Sequence, residues 1–241
     1  MNVLITSATS ATAQIITAAL AGTHELRLTD LPGNMGASTD SAGGEIIACD
    51  LGHDSATDEL VAGIDGIVNI GYRGQAGGAK HLIDYHTRCM YNLLQAASDA
   101  GVARYVNVST LRLFEDHEEN LVVTERWRTD PSAEDVELLS AHLAESVCKE
   151  FARDRLIEVA NLRLGWPFVG RSPAGSPAEG TPDDTAAISH DLIGAAVTEA
   201  LGSDELGQWQ DIHIQSPVSH QRFITGTAAA LLPGLAERLT Q

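Results

Sequence analysis

The chain has 241 residues, 44% of them hydrophobic, which is enough to bury a large core without disulfides or metals. Its formal net charge is −18, with 15 basic against 33 acidic side chains. Phosphate contacts need clustered Lys and Arg, so this balance argues against nucleic acid and against an anionic membrane as partners.

The three cysteines, Cys49, Cys89 and Cys148, are widely spaced and form no C-x-x-C pair. This spacing predicts neither a disulfide framework nor a metal site. No basic segment precedes a short apolar core at the N-terminus, and no apolar run approaches the ~20 residues needed to span a bilayer. We therefore expect a reduced, cytoplasmic protein.

The first thirty residues predict a strand, a helix and a second strand. Val3–Ile5 is an apolar run typical of a buried strand, a turn of small residues follows, and an Ala-rich helical pattern continues to about Ala21. The second strand ends at Asp30. This order predicts the opening βαβ unit of a dinucleotide-binding sheet, with the Asp30 carboxylate placed to bind a ribose hydroxyl and to repel a 2′-phosphate, which favours NAD over NADP.

The turn itself, TSATSATA at residues 6–13, resembles the T-G-x-x-G-x-x-G turn of the extended short-chain dehydrogenase/reductases, the NAD-dependent epimerase/dehydratase group. Thr6 matches that pattern, while Ser7, Ser10 and Ala13 stand at the glycine positions. Ala is tolerated at the third position. Ser7 and Ser10 add side chains where phosphates approach, and a non-Gly residue costs about 1 kcal/mol wherever φ is positive. Either the hydroxyls donate to phosphate in compensation, or the turn binds no cofactor.

The resemblance extends through most of the chain and implies an α/β fold. We expect a doubly wound, mostly parallel, Rossmann-like sheet in one domain over 1–241, with a small C-terminal appendage on the substrate side, formed by elements at about 111–132 and 165–225. The pattern predicts further strands at 45–48, 66–70, 105–108, 157–164 and 212–214. It also predicts helices at about 80–100, 132–155, 190–201 and 227–239.

Two short segments in the first half match cofactor contacts of the resembling family. Asp50 and Leu51 occupy the place of a D-L pair beside the adenine, although Asp50 is also suited to cap a helix starting near Ser55. Asn69 and Gly71 end a buried strand, at the sheet edge where ligands bind in open α/β folds. The glycine-rich loop after Tyr72 carries Arg73, a candidate for an anionic substrate group or a merely solvated side chain. His86 lies in the helix predicted at about 80–100, and a structural role and a functional role fit it equally well.

The strand at 105–108 leads into Ser109 and Thr110, and its approach, NLLQAASDAGVARYVNVST, is the passage most similar to the family. Ser109 is a candidate cofactor contact. The resemblance implies that Thr110 hydrogen-bonds the substrate oxygen that gains or loses a proton. Arg112, two residues later, is a candidate to reach the same site.

The next helix departs from the family, because its Y-x-x-x-K pair is missing. The Tyr of that pair is the family's general acid or base, and the Lys lowers its pKa. With Ser132 predicted as the N-cap, the helix aligns either Glu137 and Ala141, or Leu138 and His142, with the Tyr and Lys positions. Glu137 and His142 are therefore the candidate acid/base residues, against the alternative that both are ordinary helix-surface residues.

Between Thr110 and that helix, residues 115–131 form an acidic loop in which Arg126, Trp127 and Arg128 cluster, a candidate lid over a substrate. Residues 171–184, rich in Pro, Gly and Ser, predict a second loop.

Three functions remain open from sequence. The first is an NAD(H)-using oxidoreductase or epimerase/dehydratase acting on a hydroxylated, carbohydrate-derived small molecule with altered acid/base residues. The second is a cofactor-free or weakly binding scaffold or regulator of the same fold. The third is a non-redox cyclase or lyase in the same crevice, because fold alone does not select a chemistry. By analogy with the family, a homodimer through the helices near 80–100 and 133–155 is expected.

Overall fold

The computed structural model describes residues 1–35, 40–41, 43–72, 78–168, 186–218 and 221–239. Arg73 and the loop at 171–184 lie outside these residues. The strands are β1 Asn2–Ile5, β2 Glu25–Asp30, β3 Asp40–Ser41, β4 Gly44–Ala48, β5 Gly66–Ile70, β6 Arg104–Thr110, β7 Glu158–Leu164, β8 Trp166–Phe168, β9 Ala187–Ser189 and β10 Trp209–Ile214. The helices are α1 Ala11–Leu20, α2 Ser55–Val61, α3 Ala79–Asp84, α4 Met90–Asp99, α5 Val136–Arg153, α6 His190–Gly202 and α7 Gly226–Leu231.

The main sheet has the order β10-β7-β6-β5-β1-β2-β4-β3. Every neighbouring pair among the described strands is parallel except the two-residue β3, which runs antiparallel to β4 at the edge. The strand order reverses beside β1, whose Ile5 pairs with Leu28 of β2 on one side and Val68 of β5 on the other. This confirms the predicted doubly wound fold. In such sheets ligands bind at the carboxyl ends of the strands where the order reverses, here β1 and β5.

Two apolar layers cover the sheet. Helices α1 and α6 pack on one face, against Val68, Val106 and Leu162, while α4 and α5 pack on the other, against Ile67 and Tyr105. All seven residues of β6 are buried. Because such strands are buried on both faces, they read as continuous apolar runs, and each fully buried aliphatic side chain contributes about 1.5–3 kcal/mol.

Helix α5 begins three residues later than the sequence predicted. Asp135, and not Ser132, is its N-cap: a carboxylate oxygen of Asp135 accepts a hydrogen bond from the backbone N of Leu138 at 3.0 Å. The Ser132 hydroxyl instead accepts from the N of Glu134 in a preceding turn. The later start follows from the apolar face, since Leu138 is the first buried residue of the helix.

Two other predicted helices are interrupted. The helix expected at 80–100 is broken at Tyr85–Cys89 by a π-turn, which separates α3 from α4. Such turns widen a helix locally and often occur at functional sites. The closing helix expected at 227–239 ends at Leu231, because Pro233 cannot continue the backbone hydrogen bonding and starts a short 3-10 turn.

The two predicted substrate-side segments contact each other. Val123 forms a β-bridge with Phe223, and β8 pairs with β9 in a separate two-stranded sheet. Together with the 3-10 turn at Leu111–Phe114, these segments enclose a small apolar cluster of their own. This cluster covers the end of β6.

No helix within the described ranges is long and apolar enough to cross a membrane. The three cysteines are buried and free. The same ranges contain no group of three or more His, Cys, Asp or Glu side chains arranged to hold a metal ion.

Candidate functional site

The turn after β1 keeps a left-handed residue at its first glycine position. Ser7 has φ = 51°, is fully buried, and its hydroxyl lies 2.8 Å from the hydroxyl of Tyr85 in the π-turn. The Ser7 side chain is therefore directed into the protein and not toward the crevice. Its hydroxyl is already engaged, which leaves the predicted compensation to Ser10 alone.

Ser10 serves as the N-cap of α1. Its hydroxyl accepts from the backbone N of Ala13 at 3.3 Å, and its own N donates to the Ser7 carbonyl at 2.8 Å. Ala13 is fully buried against the sheet, as its glycine position requires. The sequence thus preserves the turn and the positive end of α1 without the glycines.

Asp30 lies at the end of β2, as predicted, but its carboxylate is bound by the protein itself. One oxygen accepts from the N and the hydroxyl of Thr9, at 2.9 and 2.6 Å. The other accepts from the N of Leu31 and the side-chain amide of Asn34, both at 2.8 Å. The residue is 2% exposed. A carboxylate has about four lone-pair sites, so a ribose hydroxyl must replace the side chain of Thr9 or of Asn34.

Asp50 is exposed beside the crevice, and Leu51 is buried with φ = 50°. The Leu51 carbonyl accepts from the side-chain amide of Asn92 at 2.9 Å. The alternative helix-capping role for Asp50 is wrong, because Asp54 caps α2 by accepting from the N of Ala56 and of Thr57. Asp50 is left without that structural role.

A buried ladder of polar side chains crosses the sheet below the crevice. The Thr6 hydroxyl donates to Asn69, the Asn69 amide to Asn107, the Asn107 amide to Asn161 and the Asn161 amide to Asp211, at 2.7 to 3.0 Å. Each asparagine lies opposite the next in the strand register. Thr6 and Asn69, both predicted as cofactor contacts, are thus engaged in the sheet.

Gly71 and Ser109 also have structural partners. A Cβ on Gly71 would overlap the side chain of Asn107, which explains the glycine by packing alone. The Ser109 hydroxyl donates to a carboxylate oxygen of Glu145 at 2.6 Å, and Glu145 accepts two further bonds from Arg163. Burial raises the pKa of Glu145, but the charge and hydrogen bonds of Arg163 and the bond from Ser109 outweigh it, so the pKa is lowered.

Thr110, Arg112 and Tyr72 meet at the carboxyl ends of β5 and β6; we call them the Tyr72 cluster. The guanidinium of Arg112 donates from Nη1 to the Tyr72 hydroxyl, and the backbone N of Arg112 donates to the Thr110 hydroxyl at 3.2 Å. Arg112 is held by a two-pronged ion pair with Glu115. Burial raises the pKa of Tyr72, and the Arg112 charge offsets this only in part.

The structure places the two candidate acid/base residues of α5 in different surroundings. The charge of Glu137 acts on Tyr72, and Ala141, one turn later, packs in the same apolar cluster as Tyr72. Leu138 packs in the same cluster, whereas Nδ1 of His142 lies 2.7 Å from the Thr129 hydroxyl, in a separate cavity. Of the two candidates, Glu137 is therefore the one whose charge acts on Tyr72.

Sequence reasoning missed Tyr72 as a site residue. The available signal was its position, directly after the buried strand β5 and one residue beyond Gly71. The Y-x-x-x-K spacing does not identify it, because no lysine stands four residues after Tyr72. The Arg163 and Glu145 pair was also missed, since the two residues belong to different elements 18 positions apart.

The residues present fit a dinucleotide on one condition. The turn shape, the capped start of α1 and the exposed Asp50 suit a pyrophosphate and an adenosine. Asp30 is suited by type and position, but only if ribose hydroxyls take over the bonds that the Thr9 hydroxyl or the Asn34 amide now makes.

Comparison with solved structures finds the same fold in sugar-converting enzymes. Uronate dehydrogenase from Agrobacterium tumefaciens is 20% identical, with a TM-score of 0.79 over 99% of this chain and 88% of that one. Glucuronic acid dehydrogenase from Chromohalobacter salexigens is 21% identical, with a TM-score of 0.76 over 95% and 82%. UDP-glucuronic acid 4-epimerase from Bacillus cereus, in complex with NAD, is 14% identical, with a TM-score of 0.70 over 97% and 90%.

At these identities the likeness shows the fold alone. No curated protein sequence gives a significant match. A family model, however, matches residues 3–201, which is well over half of the chain. The chain belongs to the NAD dependent epimerase/dehydratase family.

Proposed function

We propose that this protein is an NAD(H)-dependent oxidoreductase or epimerase-type enzyme acting on a hydroxylated small molecule, in which Tyr72 and Thr110 hold the reacting oxygen. One observation carries the proposal: a single residue, Arg112, hydrogen-bonds both hydroxyls. This arrangement takes the place of the missing Y-x-x-x-K pair.

The direction of these hydrogen bonds leaves two protons available. A guanidinium and a backbone N–H only donate, so the hydroxyls of Tyr72 and Thr110 accept from Arg112. Each hydroxyl keeps its own proton for another acceptor. Two such donors at neighbouring strand ends form a site for a carbonyl or alkoxide oxygen, and the Arg112 charge stabilises negative charge that develops there.

The raised pKa of Tyr72 keeps it a neutral phenol at neutral pH. It therefore acts as the acid in the reducing direction. A bound NADH would supply the hydride for reduction of a carbonyl. Tyr72 would donate its proton to the carbonyl oxygen, and Arg112 would stabilise the resulting phenolate through the hydrogen bond it already donates to this oxygen. Positioned proton transfer of this kind typically contributes about 10²- to 10⁴-fold in rate. The negative charge of Glu137 raises the pKa of Tyr72 and so opposes phenolate formation, whereas the charge of Arg112 stabilises the phenolate.

The cofactor requirement is tested by calorimetric titration with NAD⁺, NADH and NADPH. We expect binding of NAD⁺ and NADH, and weaker binding of NADPH because Asp30 repels its phosphate. Thr9→Val removes the hydroxyl that occupies Asp30 and is expected to tighten NADH binding several-fold. Thr23→Val, just beyond α1, is the matched control. If neither the parent protein nor Thr9→Val gives binding heat with any of the three cofactors at millimolar concentration, the proposal is excluded.

The catalytic assignment is tested by Tyr72→Phe, which keeps the ring and removes the proton. Turnover of NADH with a panel of hydroxylated aldehydes and ketones is expected to fall about 100-fold, with NADH affinity unchanged. Tyr91→Phe, on the exposed side of α4, is the control. Equal turnover by Tyr72→Phe and the parent protein would refute the role of Tyr72.

A cofactor-free scaffold or regulator is the second candidate, favoured by the four hydrogen bonds on Asp30 and its burial. In that case the Asp30 carboxylate serves only to hold Thr9, Leu31 and Asn34 in place and binds no ribose. Thr9→Val would then bind no NADH and would only lose stability.

A further inference from the structure

A second cavity lies beside β10, away from the Tyr72 cluster; we call it the lateral cavity. Its volume is about 580 Å³, within the range of small-molecule sites. Residues 125–129, which contain the predicted lid cluster, form one wall, and α5, β7 and β10 form the others. Tyr72, Thr110 and Arg112 line the sheet edge and not this cavity. Lining side chains include Glu125, Trp127, His142, Lys149, Arg163 and Trp209.

Two residues of the cavity wall, Arg163 and Glu125, each contain a buried polar atom that has no hydrogen-bond partner among the described residues. Arg163 is 5% exposed; its Nε and Nη2 bind Glu145 and its Nη2 also binds Asp211, but its Nη1 has no hydrogen-bond partner in the described chain. The Oε1 of Glu125 is likewise buried and without a partner there. Buried polar atoms in native proteins are nearly always bonded, so this pair indicates a missing polar group. A hydroxyl supplies both an acceptor for Arg163 and a donor for Glu125.

The remaining lining has the chemistry of a ring-stacking, anion-attracting site. Two of the three tryptophans of the chain line it, and the Lys149 ammonium lies 5.7 Å from the ring centre of Trp209. The side chains that line the lateral cavity carry a net charge of +1, whereas the whole chain carries −18. The four cations are Arg126, Arg128, Lys149 and Arg163, and the three carboxylates are Glu125, Glu145 and Asp211.

From these observations we infer that the lateral cavity is a second binding site, for a small hydroxylated carboxylic acid. A hydroxyl of the ligand bridges Glu125 and Arg163, its apolar face packs on a tryptophan, and its carboxylate lies toward Arg126, Arg128 and Lys149. His142 also lines the cavity, and its Nδ1 is engaged with Thr129. None of the residues that line the lateral cavity belongs to the Tyr72 cluster, so ligand binding there requires neither that cluster nor a dinucleotide.

The ligand chemistry is tested by calorimetry with three probes. D-gluconate carries hydroxyls and a carboxylate, D-glucose lacks the charge, and propionate lacks the hydroxyls. We expect gluconate to bind and to change tryptophan fluorescence, and the other two to bind at least about tenfold more weakly. Absence of gluconate binding at millimolar concentration, or equal binding of all three probes, would overturn the inference. In that case a bridging water satisfies Glu125 and Arg163.

The location is tested by variants. Glu125→Gln is expected to weaken gluconate binding at least about tenfold, while Glu119→Gln, an exposed control in the same segment, leaves it unchanged. Lys149→Gln, on the exposed side of α5, is expected to lower the preference for gluconate over glucose. Thr110→Val is expected to have no effect on gluconate binding. A loss with Thr110→Val as large as that with Glu125→Gln would place the ligand at the Tyr72 cluster and refute the inference.

Discussion

Acid destabilisation by His213 provides a quantitative test of the packing around the candidate site. His213 lies on β10, fully buried, with its ring centre 5.4 Å from that of Phe114 and 6.0 Å from that of Phe223. Neither of its nitrogens has a hydrogen-bond partner among the described residues. Burial, reinforced by the charge of Arg163 and opposed by that of Glu145, lowers its pKa from 6.5 to about 3.

The lowered pKa makes stability depend on pH. Between pH 6.5 and about 3 the unfolded chain binds one proton more than the folded chain, so the free energy of unfolding falls as the pH falls through this window. The contribution of the neutral His213 ring to the free energy of unfolding is fully present above pH 6.5. At about 1.36 kcal/mol per unit, lowering the pH to about 5 removes about 2 kcal/mol, and about 5 kcal/mol is the limit at low pH.

The assay is urea unfolding of the parent protein and of His213→Leu at about pH 7 and pH 5. Leucine preserves the apolar packing and cannot titrate. The parent is expected to lose about 2 kcal/mol more than the variant on this acidification. Glu145 does not interfere, because its pKa is lowered from an ordinary value of 4.5 and its carboxylate stays ionised in the folded protein between pH 7 and pH 5. An equal loss in both proteins, or protonation of His213 near pH 6 in an NMR titration of the parent, would refute the reasoning.

Three further predictions concern the site and its support. Glu145→Gln removes one of the two carboxylates that pair with the buried Arg163 and is expected to cost about 3–5 kcal/mol in urea unfolding, whereas Glu150→Gln on the exposed side of α5 costs less than about 1 kcal/mol. Gly71→Ala forces a methyl group against the facing asparagine of β6 and is expected to cost about 1–3 kcal/mol in thermal unfolding. Thr110→Val is expected to lower turnover at least about tenfold while Thr110→Ser retains it; equal rates for both would remove Thr110 from the site.

Much of the fold was predictable because its strands are buried on both faces. Val3–Ile5 and Gly66–Ile70 are short apolar runs, and such runs are typical of a parallel sheet covered by helices. The family resemblance, carried by the opening turn and by the passage before Thr110, is confirmed by the family model. Helix boundaries were less predictable: Asp135 and Ser132 are both good N-caps, and only the burial of Leu138 decides between them.

The candidate site was predictable in position but not in its contacts. The sequence alone places Asp30, Asn69 and Thr110 at strand ends, because the carboxyl ends of parallel strands share one edge. It does not show whether a polar side chain there is available to a ligand or already bonded. Asp30 and Asn69 turn out to be bonded within the protein, whereas the catalytic and cofactor roles of the individual residues remain predictions.

The amino-acid sequence by itself determined the α/β architecture, the acidic character and the loss of the family's Tyr and Lys pair, because composition, periodicity and spacing are local properties of the chain. The tertiary structure alone decided that Arg112 joins the hydroxyls of Tyr72 and Thr110, and that Glu125 and Arg163 face a common cavity. Tyr72 is distant along the chain from Thr110 and Arg112, as Glu125 is from Arg163, and only the packing of the sheet and α5 sets the distances between their polar atoms.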